Sequence, residues 1–327
     1  MRAITFDQPG DESVLYTGEV EAPAMGPDDI RIRSRATSVN RADLLQRQGM
    51  YPSPPGASPL IGLEAAGEII EIGSNVSGWK PGDRVMAILP GGGYGEEVVC
   101  HAGSALPVPD DYSDEEAGST CEVFLTAFLN IFMLGQVPDK GKVLVHGGGS
   151  GVGTAAISLG REAGLTTLVT AGSDEKCQRC IDHGANVAIN YNDGDFSEKV
   201  KEATGGKGVN VVLDCIGGRY LEQNCKSLAS DGALVIIGLQ GGSKGEINLA
   251  RMLTKRLSVI GSTMRARPAD KKAIMVKAFL DRFGDALKGG RIRPVIQEVF
   301  PIDRVGDGHR AMKAGKHFGK LALKAWD

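Results

Sequence analysis

Residues 146–153 read His-Gly-Gly-Gly-Ser-Gly-Val-Gly, between the apolar run Val143-Leu144-Val145 and a helical pattern from Gly151 to Ala163. Glycines at such a junction let the backbone approach a pyrophosphate, which then lies on the free N–H groups of the helix N-terminus. The strict G-x-G-x-x-G spacing is broken, because Ser150 takes the middle glycine place in the frame Gly148 to Gly153. The strand–turn–helix context restores the signal. The turn, Gly149 included, is therefore a candidate pyrophosphate site.

The next predicted strand bears on which dinucleotide. An Asp or Glu at its end would grip a ribose 2′-hydroxyl. Here it ends Thr170-Ala171-Gly172-Ser173, with Lys176 one turn further and Tyr191 after the following strand. A hydroxyl, an ammonium and a phenol suit a 2′-phosphate, which points to NADPH. A second reading stays open: Ser173 caps a solvated helix, Asp174 and Glu175 fill its first turn, and Lys176 pairs with Asp174.

Residues of metal-binding type are present but badly spaced. Cys177, Cys180 and His183 share one predicted helix with no second pair, and Cys177 and Cys180 read, with Ile181, as small apolar residues of a core helix. The six cysteines form no disulfide framework, and the five histidines have no ligand spacing. No metal site is expected. His146, at the head of the glycine turn, reads as a packing residue.

The elements that must position these groups alternate. Strands are predicted at 143–145, 166–171, 187–190, 209–214, 233–238 and 257–261, separated by helices at 151–163, 173–183, 196–203 and 220–229. Strands apolar on both faces, each leading into a helix, make a parallel sheet covered on both sides. The expected fold class is α/β, with a doubly wound nucleotide domain over 123–262. The first 122 residues are turn-rich with short β runs. After a helical pattern at 269–283, strands near 295–300 and 321–324 are too few for a domain, so 263–327 should complete the first one.

Composition narrows the classes. With 327 residues, 42% hydrophobic and 24% charged, the chain is ordinary globular protein, and two domains suit its length. Its 46 glycines have no period of three and mark tight turns. A formal charge of −3 without a basic block argues against nucleic acid. The start has no apolar signal segment, and no run of about 18 apolar residues suggests a membrane span. A cytoplasmic protein with reduced thiols is expected.

Ser38-Val39-Asn40-Arg41-Ala42-Asp43-Leu44, Gly62-Leu63-Glu64-Ala65-Ala66-Gly67, Lys80-Pro81-Gly82-Asp83-Arg84-Val85 and the glycine turn resemble the medium-chain dehydrogenase/reductases. The likeness is to their zinc-free quinone oxidoreductase branch, nearest the tumour-suppressor-inducible members, and runs over essentially the whole chain. It implies a GroES-like catalytic domain around the Rossmann domain, NADPH-dependent reduction of quinones, and a homodimer joined through the nucleotide-domain sheets. It implies a nicotinamide in the cleft between domains. Asn40 and Tyr51 resemble cleft residues and are the candidate catalytic pair. Thr126 resembles a residue near the nicotinamide, and Gly238, Leu239, Thr263 and Met264 fall where the family lines its other side. Ser150, Gly151 and Val152 resemble the pyrophosphate contacts, and Gly172, Ser173, Lys176 and Tyr191 the adenosine-phosphate contacts.

Zinc-bearing relatives use Cys, His and Cys where this chain has Asn40, Leu63 and Glu122, and Leu63 binds nothing. With no metal and no obvious catalytic dyad, the expected substrate is electron-poor, a quinone or a conjugated enone. Tyr51 either donates a hydrogen bond to the substrate carbonyl or forms a wall. Asp43 is expected to orient backbone at the start of a short helix. The rivals are an enone or 2-enal double-bond reductase and a non-enzymatic NADPH-binding protein with a structural or RNA-binding role.

Overall fold

Val143, Leu144 and Val145 are fully buried, as are Val211, Val212 and Leu234. Such residues, apolar toward both faces, belong to the inner strands of a parallel sheet. A computed structural model describes residues 1–326. It divides the chain into two units, Met1–Leu125 with Met264–Asp327 (described to residue 326), and Thr126–Thr263.

The second unit holds that sheet. Its six strands are Lys142–His146, Thr166–Ala171, Val187–Asn190, Val209–Asp214, Leu228–Ile236 and Ser258–Gly261. Numbered in chain order they lie 3-2-1-4-5-6, all parallel. This is the doubly wound order, in which the first strand borders the point where the connections reverse direction. Helix Gly151–Glu162 packs there, with Ala155, Ala156, Ile157 and Leu159 buried on its inner side. One core joins Leu144, Leu168, Ile189, Phe196, Val212 and Leu234.

The first unit carries a seven-stranded path plus one branch. Long strand Asp29–Val39 pairs antiparallel with Glu64–Ile72, Glu97–His101 and Lys320–Lys324, and Lys320–Lys324 pairs parallel with Ile296–Pro301. The C-terminal segment thus supplies two strands to the sheet begun by the N-terminal one. Ile30, Ile32, Ala65, Ile69, Val85 and Val98 form one side of its core. Leu321, Leu323, Val39 and Val305 belong to the other.

Several boundaries move. The helix expected over 220–229 runs only Leu221–Ser227, because Leu228 already pairs with Val209 as sheet. The following Ser-Asp-Gly is taken into the strand as an irregularity, with Asp231 at φ 63°. Helix Ala269–Lys288 outruns its predicted end at 283. Helix Leu249–Lys255, capped by the Asn248 side chain, has no counterpart in the sequence pattern.

The expectation that no apolar run reaches membrane length needs correcting. The stretch Asp114–Leu134 is long and apolar enough to cross a membrane by length and composition. Short helices Asp114–Ala117 and Cys121–Phe128 and the π-turn Leu129–Leu134 make it up, and Phe124, Leu125, Phe128 and Ile131 are buried as core residues.

Candidate functional site

In a parallel sheet every carboxyl end opens on the same edge, so sequence-distant loops gather there. Gly149 to Val152 follow the first strand, and Gly172, Ser173 and Lys176 the second. Tyr191 follows the third, Gly238 and Leu239 the fifth, and Thr263 the sixth. The glycine turn is fixed by sterics. Gly147 has φ +73°, and a β-carbon on Gly148 would stand 2.6 Å from Val169 Cβ. The Gly148 N–H donates to Thr170 O (2.8 Å), tying the turn to the neighbouring strand.

Ser150 caps helix Gly151–Glu162, its Oγ accepting from Gly153 N at 3.0 Å. No acceptor among the described residues faces the N–H groups of Gly151 and Val152. Two open N–H groups at the head of a 12-residue helix are what a pyrophosphate would use. Thr126 presents a buried hydroxyl that lacks a partner, while its carbonyl accepts from Asn130. These features fit a bound dinucleotide.

At the end of strand Thr166–Ala171, Ser173 Oγ accepts from Lys176 N–H (3.2 Å), so the capping role read from sequence is present. Asp174 accepts from Asn190 Nδ2 at 2.8 Å. Tyr191 lies against Gly172: a β-carbon there would run into the Tyr191 hydroxyl. Lys176 is half-buried, and burial followed by the nearby Arg179 cation lowers its pKa.

His146 packs as expected. It is buried against Phe196 and Tyr220, Nε2 donates to Asn224 Oδ1 (2.6 Å), and Nδ1 accepts from Thr170 Oγ1 (2.9 Å). Burial pushes its pKa down to about 4, so it stays neutral. The core-helix expectation holds for Cys180, which is fully buried, but Cys177 is only half-buried and Ile181 is exposed, because this helix turns little more than Cys180 inward. Among the described residues no three His, Cys, Asp or Glu side chains converge as a metal site would need.

The first unit by itself carries Asn40, Tyr51 and Met264, and a buried polar cluster. Glu64, 1% exposed, accepts at Oε1 from Ser38 Oγ (2.5 Å), Asn40 Nδ2 (3.0 Å) and Lys320 Nζ (3.0 Å), and at Oε2 from Glu122 N–H (2.9 Å). Lys320 Nζ also donates to Asn40 Oδ1 at 2.7 Å. The Asn40 side chain is thus held between an ammonium and a carboxylate. Its backbone N–H donates to Asp43 Oδ2 (2.7 Å), so Asp43 does orient local backbone.

Asp43 continues into a second buried chain. Tyr94 Oη donates to Asp43 Oδ2 (3.1 Å), His309 Nε2 donates to Tyr94 Oη (3.2 Å), and Arg47 Nη1 donates to His309 Nδ1 (3.1 Å). Burial, with the Arg47 charge added, pushes His309 down to about 3, and this neutral tautomer satisfies each contact. Burial pushes Asp43 up to about 7.

Tyr51 sits on a clamped loop. Arg265, 4% exposed, donates to Tyr51 O (2.9 Å), Pro90 O (2.7 Å), Gln46 Oε1 (2.8 Å) and Ser53 Oγ (2.7 Å). Its guanidinium carbon stands 5.3 Å from the centre of the Tyr51 ring. The Tyr51 hydroxyl has no hydrogen-bond partner among the described residues. Its pKa is raised by burial and then by the charge of Glu122.

Sequence reading did not select Glu64, Lys320 or Arg265 as site residues. The available signal was a charge inside an apolar strand: Glu64 before Ala65-Ala66, and Lys320 before Leu321-Ala322-Leu323. Such residues are buried only when paired.

The zinc-binding dehydrogenase family matches residues 151–281, and the alcohol dehydrogenase GroES-like domain matches residues 26–110. The chain is 30% identical over 327 residues to the synaptic vesicle membrane protein VAT-1 homolog of Homo sapiens, covering 96% of this chain and 83% of that protein. It is 29% identical over 324 residues to a phenolphthiocerol/phthiocerol polyketide synthase subunit of Mycobacterium tuberculosis. That match takes in 98% of this chain but 14% of that much longer protein. Among solved structures, the Escherichia coli quinone oxidoreductase complexed with NADPH superposes with a TM-score of 0.86 at 26% identity, over 99% of this chain and 100% of that one.

Proposed function

This chain belongs to the medium-chain dehydrogenase/reductase superfamily, and on that premise we propose that it is an NADPH-dependent, zinc-independent quinone reductase. The observation that carries the cofactor choice is the strand end Thr170-Ala171-Gly172-Ser173, free of acid and flanked by Lys176 and Tyr191. A carboxylate on the last residues of the strand would repel a 2′-phosphate; the nearest one, Asp174, opens the helix and accepts from Asn190 Nδ2 at 2.8 Å. The likeness to a quinone oxidoreductase complexed with NADPH supports the same choice.

Gly151 and Val152 would hold the pyrophosphate, Lys176 with Ser173 and Tyr191 the 2′-phosphate, and Thr126 the nicotinamide end. NADPH, when bound, supplies a hydride equivalent. The chain's own contribution is positioning and electrostatics. Arg265 fixes the loop that carries Tyr51, and the Glu64–Lys320 pair fixes Asn40. Zinc independence is supported by the same pair: a cation, Lys320 Nζ, already lies 2.7 Å from Asn40 Oδ1 and 3.0 Å from Glu64 Oε1.

Without a metal to polarise a simple ketone, the substrate must be electron-poor. The finer likeness of Asn40 through Gly56 to the tumour-suppressor-inducible members supports a quinone over a 2-enal. A homodimer joined along strand Ser258–Gly261, in the cytoplasm, completes the proposal. The test is a steady-state screen of NADPH and NADH oxidation against quinones and conjugated enones. Quinone turnover with NADPH is the expected result, and enone turnover alone would replace it with the double-bond reductase reading.

A further inference from the structure

Glu122 lies in the first turn of helix Cys121–Phe128, and its backbone N–H is anchored to Glu64 Oε2 at 2.9 Å. Its side chain differs from that of Glu64, whose two oxygens accept from four donors. In Asp43 only Oδ2 accepts, from two donors, and the buried Oδ1 has no partner among the described residues. The Glu122 carboxyl oxygens have no hydrogen-bond partner among the described residues, although the residue is half-buried and its neighbours are rich in donors. The Tyr51 hydroxyl, near enough to feel the Glu122 charge, is unpartnered in the same way. Two acid groups within electrostatic reach of each other, both on anchored backbone and both lacking an internal partner, are what a substrate oxygen would meet.

From this juxtaposition we propose that Glu122 is the general acid of the reaction, donating a proton to the reduced substrate, with Tyr51 a hydrogen-bond donor beside it. The assignment rests on the quinone reductase reading and names the residue which completes it. A quinone that has gained two electrons and one hydrogen from NADPH carries a negative oxygen. The O–H bond of the Glu122 carboxyl breaks and a new O–H bond forms on that oxygen, giving the hydroquinone. Glu122 is left as a carboxylate, which recovers its proton from water.

The environment keeps the acid loaded. Burial first, and then the Glu64 carboxylate, push Glu122 up to about 8, with Asp43 adding to the effect. Lys320 and Lys272 oppose it. Tyr51, Cys121 and Arg265 complete the titratable groups within range of its charge. A carboxyl with a pKa near the working pH is protonated when needed and able to let go.

The experiment uses the full chain carrying Glu122→Gln, which keeps the shape and removes the proton. Expected is a loss of about 10²–10⁴-fold in kcat with the NADPH KM unchanged. Wild-type kcat should fall above about pH 8, and the variant's profile should be flat there. A second measurement needs no turnover: infrared titration of the cofactor-free protein should show a protonated carboxyl at neutral pH that Glu122→Gln deletes. A carboxyl already ionised at pH 6 overturns the assignment. So does a variant as active as wild type with the same pH profile, while quinone reduction itself then stands. A wild type that reduces no quinone overturns both readings.

Discussion

Lys320 Nζ lies 3.0 Å from Glu64 Oε1, and the two side chains are only 2% and 1% exposed. They come from residues 256 apart in sequence, on strands that flank Asp29–Val39. The C-terminal segment therefore does more than close a sheet. It delivers the cation that neutralises a carboxylate buried by the N-terminal segment.

Removing one partner of a buried pair leaves an uncompensated charge, which costs about 3–5 kcal/mol. Lys320→Met should lower the unfolding free energy by about that amount, read from urea denaturation. Lys320→Met combined with Glu64→Gln should recover part of the loss. A single-variant loss below about 1 kcal/mol, the range of an exposed pair, would show that the pair is not buried in solution.

Asp43 makes stability depend on pH. Its folded pKa, raised to about 7 against an ordinary 3.8, means that the folded state binds more protons between those values. Stability from this group is full at low pH and is lost as pH rises through about 7. Asp43→Asn can still accept from Asn40 N–H and Tyr94 Oη and cannot titrate. The wild-type advantage over Asp43→Asn should shrink steadily between pH 4 and 7, measured by urea midpoints; parallel curves would refute the shift.

A charge-assisted contact from Lys176 to a 2′-phosphate is worth about 1.5–3 kcal/mol, or roughly tenfold to a hundredfold in affinity. Lys176→Ala should raise the NADPH KM by about that factor and leave NADH kinetics nearly flat. Equal weakening of both would return Lys176 to a solvated helix. Gly172→Asp should favour NADH, but only after its β-carbon has displaced the Tyr191 hydroxyl. Tyr191→Ala in the same chain should therefore ease that switch.

If Glu122 supplies the proton, Tyr51→Phe should be mild. Quinone turnover should fall by about tenfold or less, short of the 10²–10⁴ expected of a sole positioned acid, with NADPH affinity unchanged. A loss of a thousandfold would transfer the acid's role to Tyr51.

Strand Ser258–Gly261 is paired on one side only, with Leu228–Ile236, and Val259 is 39% exposed on it. Leu249 and Leu253, on the preceding helix, are 70% and 79% exposed. An open apolar edge is normally covered. Light scattering should give a dimer for wild type and a monomer for Val259→Asp; a monomeric wild type would reject the interface.

The sequence by itself determined the nucleotide-binding sheet. Its strands are apolar on both faces, its helices begin at Ser150 and Ser173, and Gly147, Gly148 and Gly153 admit no side chain without strain or a clash. Those are local constraints, carried by neighbouring residues and readable in order. The acid-free strand end at Gly172 was legible for the same reason. The cluster around Glu64 was not. Ser38, Asn40, Glu64, Glu122 and Lys320 are polar residues in otherwise apolar surroundings, and nothing local says which of them pair. Only the sheet register, Leu321 beside Val39 and Ala36 beside Ala66, brings them within hydrogen-bond distance. The upward push on the pKa of Glu122 and Asp43 follows from that burial, because a carboxyl's charge is decided by the solvent it loses and the charges it meets. Both are properties of the tertiary structure.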